Sequence, residues 1–261
     1  MLPVYINYSF DGKMKFNVMV INLDSSTDRW ESMTKQCDLL GLSPQRVSAV
    51  RGSLLSEKEK SDVYQLSSNL SKYDKILNDG EIGCYMSHIR CWELIVEQQL
   101  DFALVLEDDA ILTEDMAKYV DKLAHTSSDW DYIKLSHGSK IKSAVDCMDL
   151  GDGLTLKKVL KLPSTTTGQL ISLSGAKRLL SHAYPIARPI DMDIQYWFEK
   201  SLRCFVVSPF PILNGDFGSE INKTGDRRIV KKRPIRRILQ KIRYEILLWC
   251  NRSKLPEFPK L

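Results

Sequence analysis

Residues 103–112 read A-L-V-L-E-D-D-A-I-L, and the fold turns on how this stretch is read. Four apolar residues, Ala103 to Leu106, run directly into three adjacent carboxylates, Glu107, Asp108 and Asp109. A short continuous apolar run suits a strand buried on both faces of a sheet, with its carboxyl end delivering the acids to the rim. In open α/β sheets that rim is where ligands bind. Three neighbouring acids repel one another, so either one takes up a proton or a cation sits among them. A hard divalent metal shared with a ligand's phosphates would relieve the repulsion. The competing reading is a solvated turn in which Asp109 or a neighbour caps the next helix. The three acids alone leave both readings open.

Working outward, 81–98 has the clearest helical period in the chain. Ile82, Tyr85, Met86, Ile89, Trp92 and Val96 make one apolar stripe, and Asp79 with Gly80 supplies a cap. After the acids, a helix is expected from about Glu114 to Ala124 and a short strand over 131–135. Towards the N-terminus, 16–23 reads as a first buried strand and 27–40 as a helix stopped by Gly41. A strand over 45–50, a short helix over 56–64 and a polar loop over 67–80 follow. Towards the C-terminus, 136–153 reads as a long irregular loop, the kind that is usually functional or mobile. Strands are expected over 154–162, 168–173 and 203–207, helices over 174–182 and from Asp191 to about Lys200, and an extended segment over 185–189. Strands and helices alternate, which predicts an α/β protein with a mostly parallel central sheet. There is no G-x-G-x-x-G after a strand, no Walker lysine motif and no G-x-S-x-G elbow.

A chain of 261 residues, 43% apolar and 27% charged, has the composition of a globular domain. No apolar run approaches the ~20 residues that span a bilayer, and the N-terminal stretch lacks a signal-peptide pattern. Six cysteines without a C-x-x-C pair favour free thiols in a reducing, cytoplasmic compartment. The net charge of +4 conceals a split: residues 227–254 hold eleven Lys or Arg against one acid, Glu245, so the remainder is net −6. The expected organisation is an N-terminal extension (1–15), a main domain (16–226) and a basic tail (227–261). After Pro234, Ile235, Ile238, Leu239, Ile242, Ile246 and Trp249 fall near one helical face, with Arg236, Arg237, Lys241 and Arg243 over the rest. A basic amphipathic helix edged by Trp reads as a membrane-surface element with an anionic lipid partner. The alternative is a terminal helix docked on the domain with solvated charges. Nucleic-acid binding is not expected, because no aromatic-interleaved basic groove accompanies the charge run.

Three stretches, in order, resemble glycosyltransferase family 25, the group that contains bacterial lipooligosaccharide galactosyltransferases and collagen galactosyltransferases. They are V-I-N-L-D-S-S-T-D-R ending at Arg29, G-E-I-G-C-Y-M-S-H from Gly80 to His88 with the downstream L-E-D-D, and T-T-G-Q-L-I-S-L-S-G-A followed by R-P-I-D-M-D. The resemblance implies a GT-A-type, Rossmann-like fold whose acid motif holds a divalent metal, Mn2+ or Mg2+, on a nucleotide sugar's diphosphate. It implies Asp109 as direct metal ligand, Asp108 facing the ribose or a metal-bound water, and Glu107 facing the sugar or nucleoside. Members often carry an aromatic residue where this chain has Gln169, which bears on sugar or acceptor choice. The implied activity is inverting transfer, galactose from UDP-galactose to a lipid-linked lipopolysaccharide core sugar, by a protein peripheral to the inner face of the bacterial cytoplasmic membrane.

Inversion requires a carboxylate within reach of the acceptor hydroxyl, and Asp191 and Asp193 are the candidates. Asp191 could equally cap the helix that follows, in which case Asp193 is the better base. Arg29 is a candidate for the diphosphate or nucleoside, or is merely solvated, and Asn22 a candidate for the base. His88 and Ser87 are ligand contacts or satisfied buried groups; Glu81 is a ligand contact or a first-turn acid complementing the helix dipole. His137 is a further metal or phosphate contact. Two other functions remain: a phosphoryl-transfer domain using the acid cluster, or a membrane-associated adaptor that keeps the fold without activity.

Overall fold

The computed structural model describes residues 14–126, 129–138, 143–215 and 234–260. Its strands are β1 (Phe16–Asn22), β2 (Pro44–Ser48), β3 (Phe102–Glu107), β4 (Ala110–Leu112), β5 (Tyr132–Lys134), β6 (Asp146–Gly151), β7 (Leu154–Lys158), β8 (Gly168–Ser172), β9 (Cys204–Ser208) and β10 (Ile212–Asn214). Its helices are α1 (Thr27–Leu39), α2 (Glu57–Val63), α3 (Leu66–Lys72), α4 (Asp79–Glu97), α5 (Asp115–Ala124), α6 (Leu173–Leu180), α7 (Ile190–Gln195) and α8 (Pro234–Cys250). Among the described residues, eight strands form one sheet in the order β2-β1-β3-β8-β5-β9-β7-β6. Six of them point the same way; β8 and β7 are reversed. Helices cover both faces, with α4, α6 and α7 on one and α1 and α5 on the other. The expected α/β class and mostly parallel sheet are therefore what the chain forms.

Strand alternation sets the site. On β3, Ala103 and Val105 pack with Tyr85, Ile89 and Trp92 of α4, whereas Phe102, Leu104 and Leu106 pack with Met33 of α1 and Met116 of α5. Continuing that period sends Glu107 towards α4 and Asp108 towards α1. The same rule puts Lys134 of β5 and Gln169 of β8 on the α4 side, because Tyr132 and Ile171 lie in that core.

Helix α4 starts at a capping box. Asn78 Oδ1 accepts from Glu81 N at 2.8 Å and Glu81 Oε2 accepts from Asn78 N at 3.0 Å, so Asn78 is the cap in place of the expected Asp79–Gly80. Gly83 lets the loop after β2 lie directly on the helix; a Cβ there would come within 2.4 Å of Val50 O.

Several sequence expectations are corrected. The polar segment expected as a loop over 67–80 contains α3, because Asn69 is fully buried, donating to Ala187 O at 2.9 Å and accepting from Tyr64 at 3.0 Å. Tertiary hydrogen bonds override its weak helical pattern. Within the expected irregular stretch 136–153, β6 forms an edge hairpin with β7 through a turn whose Gly151, Asp152 and Gly153 all have positive φ. An edge strand exposed along most of its length carries no apolar alternation to read. Asp109 caps no helix: the acids turn into β4, which pairs with β10 in a separate antiparallel ribbon, and α5 begins only at Asp115. Residues 1–13 of the expected extension 1–15, and residues 216–233, including the first part of the basic tail, lie outside the described residues.

Candidate active site

The acids sit at the carboxyl end of β3 beside the ends of β1 and β5, and each has different partners. Asp108 is held on both oxygens. Arg29 Nη1 of α1 pairs with Oδ1 at 3.0 Å, and Asn22 Nδ2 donates to Oδ2 at 2.7 Å. Asn22, 1% exposed, is itself fixed by Arg46, whose Nε and Nη2 donate to its Oδ1 at 2.9 and 2.6 Å. Arg29, a candidate for the diphosphate or nucleoside, and Asn22, a candidate for the base, thus both bond to Asp108.

Glu107 turns the other way. Its Oε1 accepts from Thr166 Oγ1 at 2.6 Å and lies 3.3 Å from His88 Nε2 of α4. Burial by itself raises the Glu107 carboxyl, but the hydrogen bond and charge of His88, the Thr166 hydroxyl and the Lys134 ammonium outweigh it and hold it below the usual carboxylate value. At Asp109 the Arg29 charge and a backbone hydrogen bond pull the carboxyl down by less than its surroundings push it up. Its Oδ1 is buried without a hydrogen-bond partner among the described residues, and burial together with the charges of Glu107 and Asp108 pushes its pKa up to about 6. A buried, unpartnered carboxylate oxygen among like charges suits a hard dication, which takes oxygen ligands and keeps places for phosphate and water. The donor set thus fits a metal at Asp109; Asp108 already has a cationic partner in Arg29.

Asp191 and Asp193 separate cleanly. Asp193 of α7 accepts from Tyr85 at 2.8 Å, pairs with Lys200 at 2.8 Å and with Arg188 at 3.1 Å, and lines a cavity of about 330 Å³ with Lys72, His182 and Glu199. Burial pushes its carboxyl up, and Lys200, Arg188 and Tyr85 more than reverse this. Asp191, in the first turn of the same helix and half-buried, acts electrostatically on Lys134, Tyr132 and Cys84, the groups around Glu107.

Of the other expected residues, Ser87 is committed to packing: it donates to Gly83 O at 2.7 Å and accepts from Val50 N at 2.8 Å. Glu81 serves the capping box. His137 lies after β5 with its ring 4.8 Å from that of Phe210. Gln169, 1% exposed, accepts from Tyr132 at 3.0 Å, and its Nε2 has no partner among the described residues.

Three residues were not foreseen. Lys134 is 2% exposed, and burial drops its ammonium to a pKa of about 8 even though Glu107 and Asp191 pull upwards. Thr166 holds Glu107 from a segment whose Thr165 has φ +112, an uncommon backbone state for a β-branched residue. Cys84 lies one turn before His88, its thiol pushed well up by burial and by the carboxylates of Glu107 and Asp191. The D-Y-I-K-L alternation carried the one available signal for Lys134, since Lys134 shares the inward face with Tyr132.

A cluster of partly buried carboxylates at the carboxyl end of a central strand occupies the rim at which open α/β sheets bind ligands. Residues 15–194 match the family described as "Glycosyltransferase family 25 (LPS biosynthesis protein)", and the chain belongs to that family. It is 31% identical over 198 residues to procollagen galactosyltransferase 1-B of Xenopus laevis, covering 72% of this chain and 32% of that protein. It is 26% identical over 192 residues to human procollagen galactosyltransferase 2, covering 70% and 30%. The chain thus spans about a third of the length of these relatives. Among solved structures, a glycosyltransferase involved in the glycosylation of the major capsid of PBCV-1 is similar at a TM-score of 0.46 and 10% identity, over 82% of this chain and 98% of that one.

Proposed function

We propose that this chain is a metal-dependent, inverting glycosyltransferase that moves galactose from UDP-galactose onto a lipopolysaccharide core sugar. The observation that carries the reading is Asp109 Oδ1, buried and unpartnered among the described residues at the end of β3 in a member of this family. The family description, "LPS biosynthesis protein", supports the acceptor class. Relatives named procollagen galactosyltransferases support galactose.

Asp109 would hold Mn2+ or Mg2+ together with the donor's diphosphate. That ion would neutralise charge building up on the leaving phosphate. Arg29 and Asn22 hold the two oxygens of Asp108 in place. Glu107, oriented by His88 and Thr166, accepts hydrogen bonds from sugar hydroxyls. The acceptor oxygen bonds to the anomeric carbon while its proton passes to Asp191, and the bond from that carbon to the phosphate oxygen breaks with its electrons leaving on UDP. Lys134 favours the ionised form of Glu107, and Asp191 acts in turn on Lys134.

The outer face of α8 supports seating on the cytoplasmic face of a bacterial membrane, close to a lipid-linked acceptor. Its apolar stripe is exposed, from 53% at Ile242 to 75% at Ile235, while Tyr244 and Leu248 turn inward.

Calorimetry tests the donor reading. UDP and UDP-galactose should bind with Mn2+ present and weaken at least tenfold without it, and transfer to a core oligosaccharide should follow. Binding indifferent to metal would reject the assignment at Asp109.

A further inference from the structure

Beside the three acids lies a second cluster of different chemistry. Cys84 and His88 stand four residues apart on α4, so their side chains leave the same face of the helix. Glu107 meets them from the end of β3. The Cys84 sulfur, a ring nitrogen of His88 and a carboxylate oxygen of Glu107 all lie within 4.8 Å of one another. His88 is 1% exposed; its Nε2 faces Glu107 and its Nδ1 has no hydrogen-bond partner among the described residues. The carboxylates of Glu107, Asp191, Asp109 and Glu81 all act on the Cys84 sulfur, so the neighbourhood favours added positive charge.

The geometry points to a site for a borderline transition metal, zinc above all, held by Cys84 Sγ, a His88 ring nitrogen and the Glu107 carboxylate. It is separate from the hard-cation position at Asp109. The donor set makes the distinction. Thiolate and imidazole select zinc-like metals, whereas manganese and magnesium take oxygen. Zinc bonds of ~2.0–2.3 Å in a tetrahedron set ligand atoms roughly 3.3–3.8 Å apart, so side-chain shifts of an ångström or so close the site. Three protein ligands leave the fourth position for water or a substrate oxygen. Binding is a ligand exchange with no change of oxidation state: the sulfur–zinc bond forms as the thiol proton leaves to solvent.

Sharing Glu107 makes the two sites antagonists. Zinc draws Glu107 from Thr166 towards Cys84 and takes away an acceptor for the sugar hydroxyls. This consequence rests on the function proposed above; the zinc site itself does not.

The test uses the full chain stripped of metal by a chelator and titrated with Zn2+ alone against a chromogenic zinc indicator. A parallel titration with Co2+ is followed by near-ultraviolet absorption, where a thiolate–cobalt band appears. One zinc should bind per chain with sub-micromolar affinity, and Co2+ should give the thiolate band. Cys84→Ser should weaken zinc about 100-fold or more and abolish the band, while Asp109→Asn and the exposed-thiol control Cys147→Ser keep both. Cys84→Ala, which buries no hydroxyl, carries the same expectation should the serine variant unfold. In wild-type protein one equivalent of zinc should weaken Mn2+-dependent UDP-galactose binding at least tenfold, and in the Cys84 variants it should not. Should UDP fail to bind under any condition, the donor reading falls while zinc stoichiometry and the cobalt band still decide this site. Absence of saturable zinc binding, or binding that survives loss of the Cys84 sulfur, would overturn it.

Discussion

Asp191 and Asp193 share one short helix, yet only Asp191 faces the acid motif. Asp193 is bound by Tyr85, Arg188 and Lys200, while the charge of Asp191 acts on Lys134 and Cys84 beside Glu107. The i, i+2 spacing on a helix turns the two side chains apart. Asp193→Asn leaves Lys200, 3% exposed, without its buried counter-charge, at a cost of ~3–5 kcal/mol. Asp191→Asn should leave stability within ~1 kcal/mol and lower kcat ~10²–10⁴-fold with UDP affinity unchanged. Thermal melts and steady-state kinetics on both variants decide it. A destabilised Asp191→Asn, or an unaltered kcat, would remove Asp191 as base.

A residue kept for a cation should cost stability when the cation is away. Asp109 has a folded pKa of about 6 against a usual value of 3.8. The folded state therefore binds more protons than the unfolded state between these values, and this group works increasingly against folding as pH rises from about 4 to 6. The full effect, on the order of 1–3 kcal/mol, is present at neutral pH. Metal-free Asp109→Asn should thus melt higher than wild type at pH 7, with the gap closing towards pH 4. The same variant should lose Mn2+-dependent UDP binding. A lower melting temperature at pH 7 would mean that Asp109 stabilises the fold in its own right.

The parts of this architecture that sequence exposes are those whose neighbours in space are neighbours in the chain. Ala103 to Leu106 and the stripe of α4 repeat with the period of their own element, so a strand delivering acids and a buried helix could both be read directly. The division of labour among the acids could not. Glu107 meets Thr166 and Asp108 meets Arg29 because consecutive residues on β3 face opposite layers, and the partners come from segments 59 and 79 residues away. Lys134 looks like a strand lysine reaching solvent until β8 and β9 close on either side of it. Helix α3 was hidden for a related reason, since Asn69 is polar in composition but anchored in the core by Tyr64 and Ala187.

Lys134 gives a pH signature. Its ammonium, lowered to about 8 by burial, lies near Glu107 and Asp191. In wild type, turnover should fall as pH rises through about 8, when the lysine loses its proton and the two carboxylates lose their counter-charge. Lys134→Met makes that loss permanent. Glu107 then becomes harder to ionise, so the acidic limb of the kcat/KM profile moves to higher pH while the limb near 8 disappears. A depressed lysine pKa also means that the charge opposes folding below about 8, so the methionine variant should be no less stable than wild type at pH 7. Superimposable pH profiles for the two proteins would place Lys134 outside the chemistry.

Helix α8 is attached by one narrow side. Tyr244 packs on Tyr196 with ring centroids 4.7 Å apart, Leu248 is buried beside it, and Lys161 pairs with Glu245. The opposite side, Ile238, Leu239, Ile242, Ile246 and Trp249, is exposed, with Arg236, Arg237, Lys241 and Arg243 around it. Anionic lipid contributes ~1 kcal/mol for each basic residue near the surface, so these four account for roughly a thousandfold in partitioning before any apolar insertion. Ile238→Asp combined with Ile242→Asp removes the apolar contact and leaves the Tyr244 and Leu248 anchorage alone. The double variant should keep its melting temperature and its UDP affinity yet partition at least tenfold more weakly onto phosphatidylglycerol vesicles. Binding of wild type should also weaken steeply with salt, because the charge part is screened within ~8 Å at physiological ionic strength. If the double variant binds these vesicles as well as wild type, the exposed stripe does not contact lipid.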